Sequence, residues 1–563
     1  MGGTKFWYNS GRNNAVGTAA IRNKRGVRAG RSEIGKMRSG NVAITSALAL
    51  FIVAFGTLRL AADESSVTFY GGAGRVGGSC ALVENGGKRV LVDCGTNYSN
   101  ERDRAGEGAE EAFGFDPRTI SDLFLTHAHQ DHAGRIPELV RSGFGGTVWM
   151  TEATLRILSV LWKSQVKYEN ATHRWKWSAG RKRKTPTVHW RGECPWAGKI
   201  KEANVGTFTG TYRELERHMH EKDENVNYVF ACSTCEELEL GETLKRVKTV
   251  EFAKPLTNGP FMVTFRPVKH LPGSAAIYFS DGAASWAFSG DLGTTRSRLV
   301  ERIDPAEKVD VVFVETTYGD DASSGGDDAE ATRRRFRELV GEASKKGLAW
   351  IPAFALDRSL RILLEIKAGQ DEGLIGRDVP VYYLSPSSRE LTKEYVNHPE
   401  WFDNDCVAGV RDLFKATKRE FDAEKYRGGS GILLTTSGMM DVGYSYKFLS
   451  DLVPRDDVTV CLAGYQAKGT PGQRLKDGAK SIKLASGEKI DVGCKVESFA
   501  SFGGHADARE VEKWLANNWQ SRIYLVHGDK DALKARQKGL KERFKADVEV
   551  AEPRKRYVMR KVE

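Results

Sequence analysis

Cysteine is scarce in this chain, with eight residues in 563. Five of them are scattered along the sequence without the regular spacing of a disulfide framework. Small secreted proteins that rely on disulfides are therefore excluded, and the composition is consistent with a reducing compartment.

The other three cysteines fall in one segment, roughly 162 to 260, and are Cys194, Cys232 and Cys235. Cys232 and Cys235 have zinc-knuckle spacing. A structural zinc needs four ligands, so a histidine would have to complete the set. The candidates for that fourth ligand are His189, His218 and His220.

Long apolar runs are also rare. One uncharged stretch, Asn41 to Leu58, follows nine Lys/Arg and one Glu, and it has about the length of a signal h-region or a marginal membrane span. The positive-inside rule would then place the rest of the chain outside. Unpaired cysteines argue against export, because disulfides form in oxidising compartments outside the cytoplasm. We favour a tail or a too-early start codon for residues 1–63, with export or membrane anchoring as the alternative.

A helix is missing where a dinucleotide site would need one. Gly72 to Gly77 matches G-x-G-x-x-G after the apolar run Val67 to Tyr70. The residues that follow, Cys80 to Glu84 and Arg89 to Asp93, have the pattern of two strands joined by a hairpin turn. A nucleotide cofactor is therefore not expected.

An excess of acidic residues is absent as well, because 85 Lys/Arg outnumber 74 Asp/Glu and the formal net charge is +11. Positive charge favours a polyanionic partner through counterion release. Locally, Arg181 to Lys184 lies near Trp175, Trp177 and Trp190. This combination suits backbone contact and base stacking, and a solvated loop is an equal alternative.

Histidine, in contrast, is concentrated in one place. The six residues from His127 to His132 contain His127, His129, Asp131 and His132. Neutral imidazole and carboxylate oxygen are ligands that zinc accepts. The motif therefore predicts a metal site.

Other acids and imidazoles follow short apolar runs that have the pattern of buried strands. Strands that end in such residues deliver them to one rim of a sheet, and jointly they indicate a ligand set. The residues in these positions are Asp93, His270, Asp291, Glu315 and His527.

With these residues, the chain resembles the metallo-β-lactamase superfamily and, within it, the β-CASP nucleases, the group of RNase J and the mRNA 3′-end cleavage endonucleases. The resemblance covers about 67 to 528. Asp320 to Asp328 departs from it, because the family usually has an Arg and a His there. Beyond the histidine motif, the resemblance rests on Ser289 to Asp291, Glu315 to Gly319, Phe354 to Arg358, Thr436 to Met440, Gly464 to Thr470, Ser501 to Asp507 and Val526 to Gly528.

The resemblance implies two zinc ions per chain. His127, His129 and His270 would hold one, while Asp131, His132 and His527 would hold the other, and Asp291 would bridge them. Such a pair can generate a hydroxide nucleophile and stabilise charge on a phosphate.

The resemblance also implies roles beside the metals. His505 would be the general acid with Glu315 as its partner, and Asp93 would orient a ligand imidazole. A turn-capping role for Asp93 is the alternative. The substrate phosphates would be bound by Arg358, Ser437 and Thr470.

The implied fold is α/β, a metallo-β-lactamase αββα sandwich with an inserted β-CASP cap. Residues 64–318 would form the first part of the sandwich, with an insert at about 162–260. The cap would span 319–495, and residues 496–563 would complete the sandwich.

We therefore predict a cytoplasmic, zinc-dependent ribonuclease acting on single-stranded RNA in processing or decay, by endonucleolytic cleavage, exonucleolytic cleavage or both. In the family, a histidine at the position of His527 marks enzymes that act mainly on RNA, and a valine there marks the DNA-repair branch. A lactamase-fold hydrolase of DNA or of a small molecule and an RNA-binding subunit are the alternatives. The sequence does not decide whether the protein forms a homodimer. Membrane association would require that residues 41–58 form a membrane anchor.

Overall fold

The computed structural model describes residues 64–97, 113–172, 200–202, 206–208, 230–231, 234–320, 329–484, 487–499 and 502–562, with only the backbone between 165 and 239. The N-terminal segment 1–63, the basic and tryptophan-containing run at 175–190, Cys194, Cys232 and the side chain of Cys235 lie outside this description. Five other cysteines are described, and none of those five is paired: Cys80, Cys94, Cys406, Cys461 and Cys494.

The described strands up to residue 320 are β1 (Ser66–Gly71), β2 (Cys80–Asn85), β3 (Lys88–Val92), β4 (Asp122–Phe124), β5 (Thr147–Thr151), β6 (Ile200–Glu202), β7 (Gly206–Phe208), β8 (Phe230–Ala231), β9 (Val247–Val250), β10 (Leu256–Asn258), β11 (Phe261–Pro267), β12 (Ala275–Ser280), β13 (Ser285–Phe288) and β14 (Val311–Glu315). Seven of them coincide with predicted apolar runs to within a few residues, namely β1 to β4, β11, β13 and β14. The helices of this part are α1 (Gln130–Ala133), α2 (Ile136–Arg141), α3 (Glu152–Thr172) and α4 (Thr234–Lys245).

The middle of the chain alternates helices and strands. Its elements are α5 (Ala329–Lys346), β15 (Leu348–Pro352), α6 (Arg358–Asp371), β16 (Val381–Leu384), α7 (Pro386–Asn397), α8 (Cys406–Ala416), β17 (Gly431–Thr435), α9 (Gly443–Lys447), α10 (Leu449–Leu452), β18 (Val458–Leu462), α11 (Pro471–Lys476), β19 (Ser481–Lys483), β20 (Lys489–Asp491) and β21 (Lys495–Ser498). The last part contains α12 (Ala508–Trp514), β22 (Arg522–Val526), α13 (Lys530–Phe544), β23 (Asp547–Val550) and β24 (Arg556–Val558).

Two seven-stranded sheets form the sandwich. One has the order β24-β1-β2-β3-β4-β5-β9, and the other has the order β10-β11-β12-β13-β14-β22-β23. Strand β22 lies parallel to β14, with Glu315 opposite Val526. The final part of the chain therefore completes a sheet that was begun before the middle part.

The two sheets pack face to face through large apolar side chains, among them Phe124, Phe279, Trp286 and Phe313. Fully burying a side chain of this kind contributes about 1.5 to 3 kcal/mol. Helices cover both outer faces, because Ile136 and Ile157 pack under the first sheet and α12 and α13 pack against the second. This is the predicted αββα arrangement.

The middle part forms the cap around a five-stranded sheet of order β16-β17-β15-β18-β21. All of its pairings are parallel, and β15 and β18 are buried throughout, as expected for parallel strands covered on both faces. Strand β21, Lys495–Ser498, is the last strand of this sheet along the chain.

The glycine-rich turn after β1 leads into β2, an antiparallel partner of β1, and not into a helix. A strand therefore stands where the dinucleotide fingerprint at Gly72 to Gly77 would need a helix. Among the residues that the structure describes, no helix has the length and apolar character needed to cross a membrane. The stretch 41–58 lies outside that search.

Candidate metal centre

The seven predicted ligands of the two-zinc site lie on one rim of the sandwich. His127 and His129 follow β4, while Asp131 and His132 lie in α1 directly after them. Their neighbours on this rim come from the second sheet, since β11, β13 and β22 run in the same direction and are followed by His270, Asp291 and His527. Strand ends thus bring residues from distant parts of the sequence to one place.

The first group consists of three imidazoles and a carboxylate, and their nearest atoms all lie within 4.8 Å of one another. His129 Nδ1 is 3.1 Å from His127 Nε2 and 3.1 Å from His270 Nε2. Asp291 Oδ2 lies 3.3 Å from His127 Nε2 and 3.6 Å from His270 Nε2. These four side chains converge on one point.

The second group consists of Asp131, His132 and His527. His527 Nε2 is 3.6 Å from Asp131 Oδ2. The other carboxylate oxygen of Asp291, Oδ1, lies 3.2 Å from His132 Nε2 and 3.9 Å from His527 Nε2. Asp291 therefore lies between the two groups, with one oxygen directed to each.

The donor set fits divalent cations. Asp291 is 1% exposed, and its Oδ1 has no hydrogen-bond partner. A buried carboxylate oxygen without a donor is costly, and a cation would compensate that cost. Two nitrogen-rich groups sharing one carboxylate are the ligands expected of a two-metal site.

Electrostatics in the rim depend on this carboxylate. Burial raises the pKa of Asp291, but His132, His527 and His127 outweigh it and hold the pKa well below its usual range. Burial lowers the pKa of His129 to about 3 and that of His270 well below its usual range. Burial also lowers the pKa of His527, so three of the imidazoles favour the neutral form in which imidazole binds metal. At His132, burial lowers the pKa, but Asp291 and Asp93 outweigh it and raise the pKa well above its usual value.

Groups behind the ligands orient them. Asp93 Oδ2 lies 2.7 Å from His132 Nδ1, and Asp93 also accepts hydrogen bonds from the backbone N–H and hydroxyl of Thr126. His132 is therefore oriented with Nε2 towards Asp291. Because Asp93 also has a left-handed φ of 62°, its backbone is held in a conformation that non-glycine residues rarely adopt.

Three further supporting groups were not identified from the sequence. Gly504 accepts a hydrogen bond from His270 Nδ1 at 2.9 Å through its carbonyl oxygen. Ser79 Oγ lies 3.1 Å from His527 Nδ1, and the Gly72 carbonyl accepts from the His527 N–H at 2.6 Å. The glycine-rich turn, which the family resemblance places near the metals, was the available signal for Ser79. The role of a backbone carbonyl, such as that of Gly504, cannot be predicted from residue type, because every residue has one.

His505 and Glu315 form a pair beside the metal groups. Nδ1 of His505 lies 3.1 and 3.2 Å from the two Glu315 carboxylate oxygens and 3.9 Å from Asp291 Oδ2. Glu315 is fixed in turn by the Leu292 N–H and the Thr317 hydroxyl. Burial lowers the pKa of His505, but Glu315 and Asp291 outweigh it and raise the pKa to about 10. These two carboxylates therefore favour the imidazolium form of His505.

The three predicted substrate-binding residues lie in cap loops after parallel strands. Arg358, at the start of α6, donates from Nη1 to the Ala463 carbonyl at 3.0 Å, while its buried Nε has no partner. Ser437 donates to Asp441 at 2.5 Å. Thr470 caps α11 by accepting from the Gln473 N–H. Of the three, Arg358 alone has a buried donor without a partner.

The fold and this rim define a metal-dependent hydrolase of the lactamase type. Residues 73–343 match the model of the metallo-β-lactamase superfamily, residues 359–475 that of the β-CASP domain, and residues 489–551 that of the Zn-dependent metallo-hydrolase RNA specificity domain. The chain belongs to the metallo-β-lactamase superfamily and, within it, to the β-CASP ribonuclease group.

Similar curated proteins agree with this assignment. The chain is 26% identical over 83% of its length, and over 68% of the relative, to a transcription termination factor of Methanococcus maripaludis. It is 26% identical over 83% of its length to a ribonuclease of Thermus thermophilus and spans 94% of that protein. It is also 22% identical over 84% of its length to an endoribonuclease of Kluyveromyces lactis, of which it spans 56%.

Proposed function

We propose that this protein is a zinc-dependent ribonuclease that hydrolyses phosphodiester bonds of single-stranded RNA in RNA processing or decay. One observation carries the proposal: two ligand groups share Asp291, whose Oδ1 is buried without a partner, directly beside the His505–Glu315 pair. The ribonuclease and endoribonuclease names of two relatives support RNA as the substrate.

His127, His129, His270 and Asp291 would hold one zinc, and Asp131, His132, His527 and Asp291 would hold the second. Bound there, two zinc ions would lower the pKa of a water molecule and neutralise charge on the phosphate in an in-line displacement. Asp93 would keep His132 oriented, and the Gly504 carbonyl would do the same for His270.

His505 would supply the proton that the leaving ribose oxygen needs. Because Glu315 binds Nδ1, the nitrogen directed at the substrate would be Nε2. The same carboxylate stabilises the imidazolium, so the acid form is available at neutral pH. Glu315 acts through His505 and is a positioning residue.

The preference for RNA over DNA rests on His527, directly after β22. The net charge of +11 favours a polyanionic strand of either kind. Arg358 would grip a substrate phosphate through its unpartnered Nε, with Ser437 and Thr470 nearby on the cap loops. We also propose a cytoplasmic location and the domain limits 64–318, 319–495 and 496–563. The basic run Arg181–Lys184 remains a candidate for backbone contact, and Cys194, Cys232 and Cys235 remain candidate ligands of a third zinc.

The decisive experiment incubates purified protein with 5′-labelled single-stranded RNA and with a DNA of matched sequence. The RNA should be cut well above the DNA, and chelator should stop the reaction. The product ladder distinguishes internal cleavage from trimming at an end. Binding should weaken steeply with salt, as expected for phosphate contacts.

Two of the alternative functions have their own outcomes in this experiment. Equal or faster cleavage of the DNA would favour a DNA hydrolase. RNA binding without cleavage in zinc-loaded protein would favour an RNA-binding subunit. Active protein without zinc, iron or manganese would exclude the two-metal mechanism.

A further inference from the structure

The exposed apolar surface of the cap is concentrated on two neighbouring loops. In cap residues 329–484 and 487–499, the large hydrophobic side chains that are exposed are Tyr465, at 75%, and Val442, at 53%. Val442 lies in the loop after β17 and Tyr465 in the loop after β18. Both loops leave the carboxyl edge of a parallel sheet, where ligands bind in open α/β folds.

The backbone under Tyr465 is tightly fixed. The buried Gln466 amide donates to the carbonyls of Gly438 and Gly464, at 2.9 and 3.2 Å. A Cβ at Gly438 would lie 2.9 Å from the Phe354 ring, and one at Gly464 would lie 3.1 Å from it. The loops after β15, β17 and β18 are therefore packed together without room for larger residues, and they hold an exposed phenol ring on a rigid base.

Arg358 is bound to the loop that carries Tyr465. Its guanidinium donates from Nη1 to the Ala463 carbonyl at 3.0 Å. Ala463 and Tyr465 are two residues apart, so their Cα atoms are separated by at most about 7 Å. A cation with an unpartnered Nε and an exposed aromatic ring therefore lie within reach of one nucleotide.

We propose that Tyr465 is a stacking platform for an unpaired base of the substrate strand. The base would belong to the nucleotide whose phosphate binds Arg358, or to the nucleotide next to it. This rests on the proposed ribonuclease function and adds to it a site for a nucleobase. Stacking on an aromatic ring tolerates every base, so the contact selects single-stranded substrate and not a sequence.

The test measures binding of a labelled single-stranded RNA to full-length, zinc-loaded protein in a His505→Ala background. Tyr465→Ala should raise the Kd about tenfold, which is about 1.4 kcal/mol. Tyr465→Phe keeps the ring and should stay within about twofold of the parent. Met262→Ala is the matched control, because Met262 is also exposed, at 51%. Met262 lies near the start of β11, whereas His270 follows the other end of that strand.

A second set of oligonucleotides, each with one abasic nucleotide, locates the stacked base. In the parent protein one position should show weaker binding, and Tyr465→Ala should remove the penalty at that position only. A Kd unchanged by Tyr465→Ala, or a loss equal for all abasic positions, would overturn the platform while leaving the nuclease intact. Failure of the unsubstituted protein to bind and cleave RNA would instead overturn the proposed function together with the platform.

Discussion

The metal rim and the cap loops differ in how their polar groups are satisfied. At the rim, the ligand nitrogens and oxygens face one another at 3.1 to 3.9 Å, and the remaining imidazole nitrogens are held by groups such as Asp93 and Gly504. In the cap, the hydroxyls of Ser437 and Thr470 are already used within their own loops. The donor atoms of the rim therefore have the arrangement of a metal site. The hydroxyls of the two cap residues, in contrast, have hydrogen-bond partners without a ligand.

This difference predicts where substitution costs most. The largest effect should come from Asp291→Asn, because Asp291 alone contributes to both ligand groups and the amide lacks the charge. Zinc content should fall from about two per chain, and RNA cleavage should be lost. Elemental analysis and the cleavage assay measure this. Retention of two zinc ions with normal turnover would show that Asp291 does not bridge.

The next effect separates proton donation from metal binding. His505→Ala should lower turnover by about 10² to 10⁴, the usual range for a general acid, while zinc content stays unchanged. His129→Ala is the matched comparison, because that variant should lose zinc together with activity. Zinc loss in His505→Ala would mean that His505 is a ligand and not the acid.

A smaller effect is expected behind the ligands. Asp93→Asn removes the charge that orients His132 and should cost about 10- to 100-fold in zinc affinity or activity. Zinc titration against a competing chelator measures the affinity. If Asp93 only caps its turn, affinity and turnover will be unchanged, and a lower unfolding midpoint will be the sole result.

The smallest effect tests the cap. Thr470→Ala removes the hydroxyl that caps α11 and should destabilise the protein by about 1 kcal/mol, measured by denaturant unfolding. Thr470→Ser keeps the hydroxyl and should be close to neutral. A KM for RNA that rises in Thr470→Ala by more than in Thr470→Ser would add a substrate contact to the capping role.

The same contrast explains what the sequence could predict. Metal chemistry restricts ligands to a few residue types, so His127 to His132 and the residues after β11, β13 and β22 could be identified before the structure was known. Apolar runs located the strands for a related reason, since buried parallel strands need continuous hydrophobic sequence.

Other features could not be predicted because residue type does not encode them. The carbonyls of Gly504 and Gly72 act through backbone position alone. Ser437 and Thr470 have hydroxyls that suit a phosphate and a helix cap equally well, so their motifs did not reveal the internal hydrogen bonds. The exposure of Tyr465 depends on how three loops pack, and the sequence around it gave no indication of that.

The placement of β22 beside β14 has a consequence for the order in which the protein is made. His127 to His270 are synthesised first, but His505 and His527 follow the whole cap, about 190 residues after Glu315. A nascent chain that ends within the cap therefore contains most of the proposed ligands but lacks His505 and His527. Closing so long a connection is also a slow, non-local step. Assembly of the proposed centre thus requires that the cap has already been synthesised.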